Sequence, residues 1–218
     1  NNKSVSQIIT EVCYMAKIIT ISREFGSGGR ELGKRLADEL GFDYYDRGIL
    51  EQVAKESELD EAYAEKVLDG SFSLGFPVTF GRTFLYTDIL QQDATKLLVA
   101  EEKIIRSLAK KGKDMVIVGR GADVILRDYK PLNIFVYADM DSKIARCRWR
   151  APKNEALSDK ELARKIKQVD TGRARQRKLM TDKDWGEKES YHLCINTTGA
   201  SIKSLVSCVA EFAKCYFK

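Results

Sequence analysis

Five short apolar runs limit what this chain can fold into. "KIITIS" from Lys17, "FDYYD" from Phe42, "MVIVG" from Met115, "NIFVYA" from Asn133 and "HLCIN" from His192 are mostly continuous in hydrophobicity and do not alternate. A strand with one wet face alternates, whereas a strand covered on both faces has no need to. The runs therefore predict an α/β chain with a parallel sheet covered by helices. Between them lie helical patterns with clear ends. "RELGKRLADELG" puts Leu32, Leu36, Ala37 and Leu40 on one face and stops at Gly41, and "DILQQDATKLLVAEEKIIRSLAKKG" carries Leu97, Leu98, Ile104, Ile105 and Leu108 and stops at Gly112. "SDKELARKIKQVDTGRARQRKLM" opens with Ser158 and has Glu161 three residues on, the pattern of a capping box. "SIKSLVSCVAEFAKCYF" is amphipathic, with Leu205, Val209, Phe212 and Phe217 expected to face inward.

At 218 residues, 44% hydrophobic and 32% charged, the chain can bury one substantial core and a smaller appendage. No apolar run approaches the ~20 residues that span a bilayer. Residues 1–16 lack the apolar core of a signal peptide and read as a leader or remnant, which makes cytoplasmic location the expectation. Residues 17–218 then form a single domain. The five cysteines are odd in number and form no C-x-x-C pair, which argues against a disulfide framework and a zinc site and leaves them as small apolar fillers. The one histidine, His192, is expected to be structural.

Charge is unevenly placed. Between Lys143 and Lys183 there are fourteen Lys/Arg and five Asp/Glu, in a chain whose formal net charge is +5. An anionic ligand is implied there. The scarcity of aromatic residues in this stretch argues against a stacking surface for single-stranded nucleic acid. Two segments break the β–α rhythm: residues 60–87, rich in glycine and aromatics, read as an insert, and "DTGRARQRK" as an arginine-rich helix end.

The first run leads through "REFGSGG" into the first helix. Strand, glycine turn and helix together make an anion site, because the first helical N–H groups and the helix dipole both point into the turn. Aligned with G-x-x-x-x-G-K-[ST], the loop has Arg23 for the first glycine, Gly29 for the lysine and Arg30 for the hydroxyl residue. A G-x-G-x-x-G dinucleotide fingerprint starting at Gly26 fails because its third glycine falls on Glu31, although Asp46 lies where a ribose-binding acid would.

Four stretches, in order, resemble the cytidylate kinase-like family, relatives of the P-loop nucleoside monophosphate kinases: "ISREFGSGGRELGKRLA", "YYDRGIL", "VIVGRGADVILRD" and "DWGEKESYHLCINTT". The resemblance covers nearly all of the chain after residue 16. It implies a three-layer α/β/α P-loop fold on a five-stranded parallel sheet. A helical monophosphate-binding insert at about 60–87 and an arginine-bearing lid at about 151–185 come with it. The implied reaction is transfer of the ATP γ-phosphoryl group to a nucleoside monophosphate. Gly26, Ser27, Gly28, Gly29, Arg30 and Glu31 would cradle ATP. Asp46, Arg47, Arg120 and Asp123 would face the acceptor, and Arg173 and Arg177 would come from the lid.

Phosphoryl transfer asks chiefly for positioning and for positive charge on the transferred oxygens, which suits arginine. Arg30 is the expected substitute for the missing lysine, with Lys34 a weaker one. Val118 stands where an acid would precede "GR". Asp46, Asp123 and Glu24 are outer-shell candidates for Mg²⁺, which the nucleotide itself carries in. The missing lysine, hydroxyl and acid leave open a second class: a nucleotide-binding or sensing protein of the same fold without turnover.

Overall fold

The computed structural model describes residues 16–46, 48, 90–151 and 157–218. The expected insert, Arg47 and all but the last residue of the leader lie outside them. Strands β1 (Ile18–Arg23), β2 (Asp43–Tyr45), β3 (Met115–Val118), β4 (Leu132–Tyr137) and β5 (Leu193–Asn196) form one sheet in the order β2-β3-β1-β4-β5. All four pairings are parallel, with Ile19 opposite Val116 on one side and Leu132 on the other. Helices α1 (Gly29–Leu40), α2 (Leu90–Lys110), α3 (Ala122–Ile125), α4 (Met140–Arg150), α5 (Asp159–Met180) and α6 (Ile202–Tyr216) complete a three-layer α/β fold.

The continuous apolar runs are explained by two cores, one on each face of the sheet. Ile18, Met115 and Ile117 pack with Ile104, Ile105 and Leu108 of α2, and Ala16 is buried in the same cluster. Their neighbours Ile19, Ile21, Val116 and Val118 point the opposite way, onto Leu32 and Leu36 of α1 and Val206 and Val209 of α6. Full burial of each such aliphatic side chain contributes about 1.5–3 kcal/mol. Gly33 lets α1 lie close to the sheet, since a Cβ there would come within 2.6 Å of Val118 Cγ2. Gly41 and Gly112 end their helices at φ of 70° each, and the Ser158–Glu161 capping box is formed.

Two expectations are corrected. Phe212 is 38% exposed, because the stripe of α6 that meets the core runs through Ile202, Val206, Val209, Ala210 and Ala213. The small alanines allow α6 to pack closely on α1, and the ring of Phe212 falls on the flank. Among the described cysteines only Cys147 is buried; Cys194, Cys208 and Cys215 are exposed and are not core fillers. His192, expected to be structural, accepts the Asn133 N–H on Nδ1 at 2.9 Å.

Candidate active site

In an open parallel sheet, ligands bind beyond the carboxyl ends of the strands where the winding changes direction. Here that place is the end of β1, which has β3 on one side and β4 on the other. The chain leaves β1 at Arg23 and turns through Gly26 (φ 79°) and Gly28 (φ 86°), conformations natural to glycine. Gly28 is the N-cap of α1 and supplies no side-chain bond, so the first helical N–H groups are left for a ligand.

Distant segments hold the loop. The Glu24 N–H donates to Val136 O at 2.9 Å, and the Phe25 N–H donates to Asp170 Oδ1 of α5 at 2.7 Å. Thr197, after β5, donates its hydroxyl to Ser27 O at 2.7 Å. Lys143 of α4 is buried with its Nζ 2.9 Å from Glu24 Oε2. The glycines answer to this packing. A Cβ on Gly26 would come within 2.9 Å of Lys143 O, and one on Gly29 would lie 2.5 Å from Arg23 Cβ.

The loop expected to cradle ATP is therefore compact and ends at an uncapped helix, an arrangement that favours an anion. Two of its members point elsewhere. Arg30 donates from Nε to Asp46 Oδ2 at 2.6 Å with its side chain 61% exposed, and Tyr44 OH donates to the same Asp46 oxygen at 3.1 Å. Glu31 pairs with Arg35 at 2.9 Å and with Arg150. The expected Lys34 sits over the Tyr44 ring, 5.7 Å from its centroid. Asp46 is buried and also accepts the Gly48 N–H at 3.0 Å.

The other expected residues meet in an open pocket beside the loop, lined by Arg120, Asp123, Arg173 and Arg177 together with Arg23 and Trp185. Arg120 lies in a run of three left-handed residues, Gly119, Arg120 and Gly121, with φ of 79°, 63° and 61°. A side chain in that region stores strain of order 1–3 kcal/mol, of a kind concentrated at ligand sites. Its Nη1 is 2.8 Å from Oε1 of the buried Glu101 on α2. Arg177 and Asp123 are both buried and pair at 2.5 Å, and the Arg177 guanidinium lies over the Tyr191 ring.

Arg173 of α5 donates to Arg23 O at 2.7 Å and meets Asp170 Oδ1 at 3.3 Å. Burial pushes the Arg173 guanidinium down to about 10, against the pull of Asp170. Burial likewise pushes the Asp170 carboxyl up to about 6, outweighing Arg173, the Phe25 N–H and Lys143. Among the described residues there is no group of three His, Cys, Asp or Glu side chains able to hold a metal ion. Glu24 and Asp46 are already engaged by Lys143 and Arg30.

The residues missed from the sequence are the partners Glu101 and Asp170 and, above all, the side chain of Arg23. Arg23 is visible in the sequence as the departure from the first glycine of the motif. The signal in that departure is an added cation as well as a lost glycine.

Comparison with known proteins follows the same line. The profile of the cytidylate kinase-like family matches residues 18–199. The chain belongs to that family. No curated protein matches it. Among solved structures it is similar to an uncharacterized protein from Eubacterium ventriosum ATCC 27560, with TM-score 0.67 and 23% identity over 91% of this chain and 98% of that one. It is also similar to shikimate kinase from Bacteroides thetaiotaomicron, with TM-score 0.52 and 17% identity over 91% and 98% of the two chains. At these identities the likeness is one of fold, and the kinase-like character of this cytidylate kinase-like chain rests on the family. Among the described residues no helix is long and apolar enough to cross a membrane.

Proposed function

We propose that the chain is an ATP-dependent phosphotransferase that moves the γ-phosphoryl group of ATP to a nucleoside monophosphate, in the cytoplasm. The observation that carries this reading is the gathering of arginines beside the loop: Arg120, Arg173 and Arg177 share one pocket at the carboxyl edge of the sheet. Loop residues Gly26–Glu31 take the ATP phosphates on the first N–H groups of α1. Asp46, Arg120 and Asp123, with Arg47 outside the described residues, face the acceptor. Arg173 and Arg177 reach the site from the α5 lid. A planar guanidinium binds two oxygens at once and stays charged, so such a set can hold a phosphoryl group in line and stabilise charge on its equatorial oxygens. ATP supplies the phosphoryl group. Mg²⁺ would come in bound to the nucleotide and neutralise charge on its phosphates.

The purified chain, given Mg-ATP and a panel of nucleoside monophosphates, is expected to form ADP with at least one acceptor. A second reading is favoured by Gly29 and Arg30 in place of the usual lysine and hydroxyl: a nucleotide-sensing protein of the same fold. Saturable nucleotide binding with no ADP from any acceptor would establish that reading instead.

A further inference from the structure

We propose that Arg23 is the phosphate cation of this site, moved from the first turn of α1 to the end of β1, and that with Arg120 and Arg173 it holds a phosphoryl dianion in the pocket. Two departures from the usual loop then become one exchange. Where a lysine would stand, Gly29 is required, because any Cβ there would lie 2.5 Å from Arg23 Cβ and 3.0 Å from its Cγ. The arginine thus occupies the room that the root of a lysine needs. Its guanidinium lies over Gly119, where a Cβ would overlap Nη1 and come within 2.8 Å of Cζ. Gly29 and Gly119 together form the slot in which Arg23 lies.

Charge balance shows what the slot is for. Among the described residues, four guanidiniums line the pocket. Three have a carboxylate: Arg120 has Glu101, Arg173 has Asp170 and Arg177 has Asp123. Among the described residues no carboxylate lies within ion-pair distance of Arg23, and Asp46, which acts on it from further off, is held by Arg30. Burial, then Arg173 and Arg120, push the Arg23 guanidinium well below its ordinary range. A guanidinium does not give up its proton at neutral pH, so the strain is electrostatic and a bound anion relieves it. The anion is a phosphoryl group, because the pocket adjoins the loop and a dianion matches several forked donors at once.

This inference rests on the phosphotransferase reading only for the source of the anion, which is either the acceptor monophosphate or the ATP chain. Inorganic phosphate is the first probe, read as thermal stabilisation of the wild type, Arg23→Met and Arg23→Lys. In phosphate-free buffer Arg23→Met is expected to melt at or above the wild-type temperature, since it removes a buried cation with no carboxylate within ion-pair distance among the described residues. It is also expected to lose the phosphate-induced rise, while Arg23→Lys keeps part of it. A phosphate response equal to wild type in Arg23→Met, or a lowered melting temperature for both variants without phosphate, would overturn the assignment.

Parallel titrations with nucleoside monophosphates and with ATP locate the source. Loss of the monophosphate response places the anion on the acceptor, loss of the ATP response places it on the donor, and retention of both refutes the site. If phosphate stabilises the protein through Arg23 but no acceptor is ever phosphorylated, the anion site stands and the phosphotransferase reading falls. If acceptors are phosphorylated while Arg23→Met binds phosphate like wild type, the reverse holds.

Discussion

Gly29→Ala isolates the exchange between positions 23 and 29 in a single methyl group. The helical backbone at Gly29 accepts alanine, and in a helix Gly→Ala is worth up to about 1 kcal/mol in favour of folding. Against that stands a Cβ 2.5 Å from Arg23 Cβ and 3.2 Å from Val136 Cβ, with no flexible chain end to give way. Overpacking of this kind costs about 1–3 kcal/mol, so after the propensity gain the net expectation is a loss of up to about 2 kcal/mol by urea unfolding. Arg23→Gly removes the two nearest atoms, leaving only Val136 Cβ at 3.2 Å, and costs about 0.5–1 kcal/mol for a glycine at a strand end. In the double variant Gly29→Ala should become nearly neutral, a favourable coupling of at least about 1 kcal/mol. Additive effects would refute the steric link, and with it the idea that the lost lysine and the gained arginine are one change.

Other perturbations give separate checks. Asp123→Asn leaves Arg177 buried without its charge partner, and unfolding by denaturant should show a loss of about 3–5 kcal/mol. Asp170 has a folded-state value of about 6 against an ordinary 3.8, so the folded state binds more protons between those values and stability falls as pH rises through that window. Asp170→Asn keeps the acceptor for the Phe25 N–H. The stability of wild type minus that of the variant should therefore drop from pH 4 to 6, by up to about 1.4 kcal/mol per unit; a flat difference counts against the buried carboxyl. Arg173→Ala should lower the phosphoryl-transfer rate by about 10²–10³-fold, the scale of one lost transition-state donor. Arg30→Ala, which removes an exposed guanidinium held by Asp46, should lower transfer less than Arg23→Gln does, as measured by kcat/KM for both variants.

The fold was legible because burial on both sheet faces leaves a direct mark in composition. Each of the five apolar runs became a strand, and the Gly41, Gly112 and Ser158 signals fell at helix ends. Helix α4 escaped, since "MDSKIARCRWR" buries little beyond Lys143 and Cys147 and shows no broad apolar stripe. Phe212 misled because hydrophobicity alone does not say which of two adjacent stripes meets a neighbouring helix; the close approach at Ala210 and Ala213 decides that. At the site, residue types were readable and pairings were not. Nothing local in "SREFG" shows that the Phe25 N–H will find a carboxylate 145 residues away. Nor does anything there show that Arg30 will be held by Asp46 while Arg23 turns toward Arg120 and Arg173. Those pairings follow from the crossover order of the sheet, which sets α5 against the loop after β1.

Label transfer is the most direct test of phosphoryl transfer at this arginine-lined loop. With γ-labelled ATP, Mg²⁺ and each nucleoside monophosphate in turn, the wild type is expected to yield a labelled nucleoside diphosphate. Arg23→Gln should yield far less at equal protein and saturating ATP. Saturable ATP binding with all the label left in ATP, for every acceptor, would contradict it.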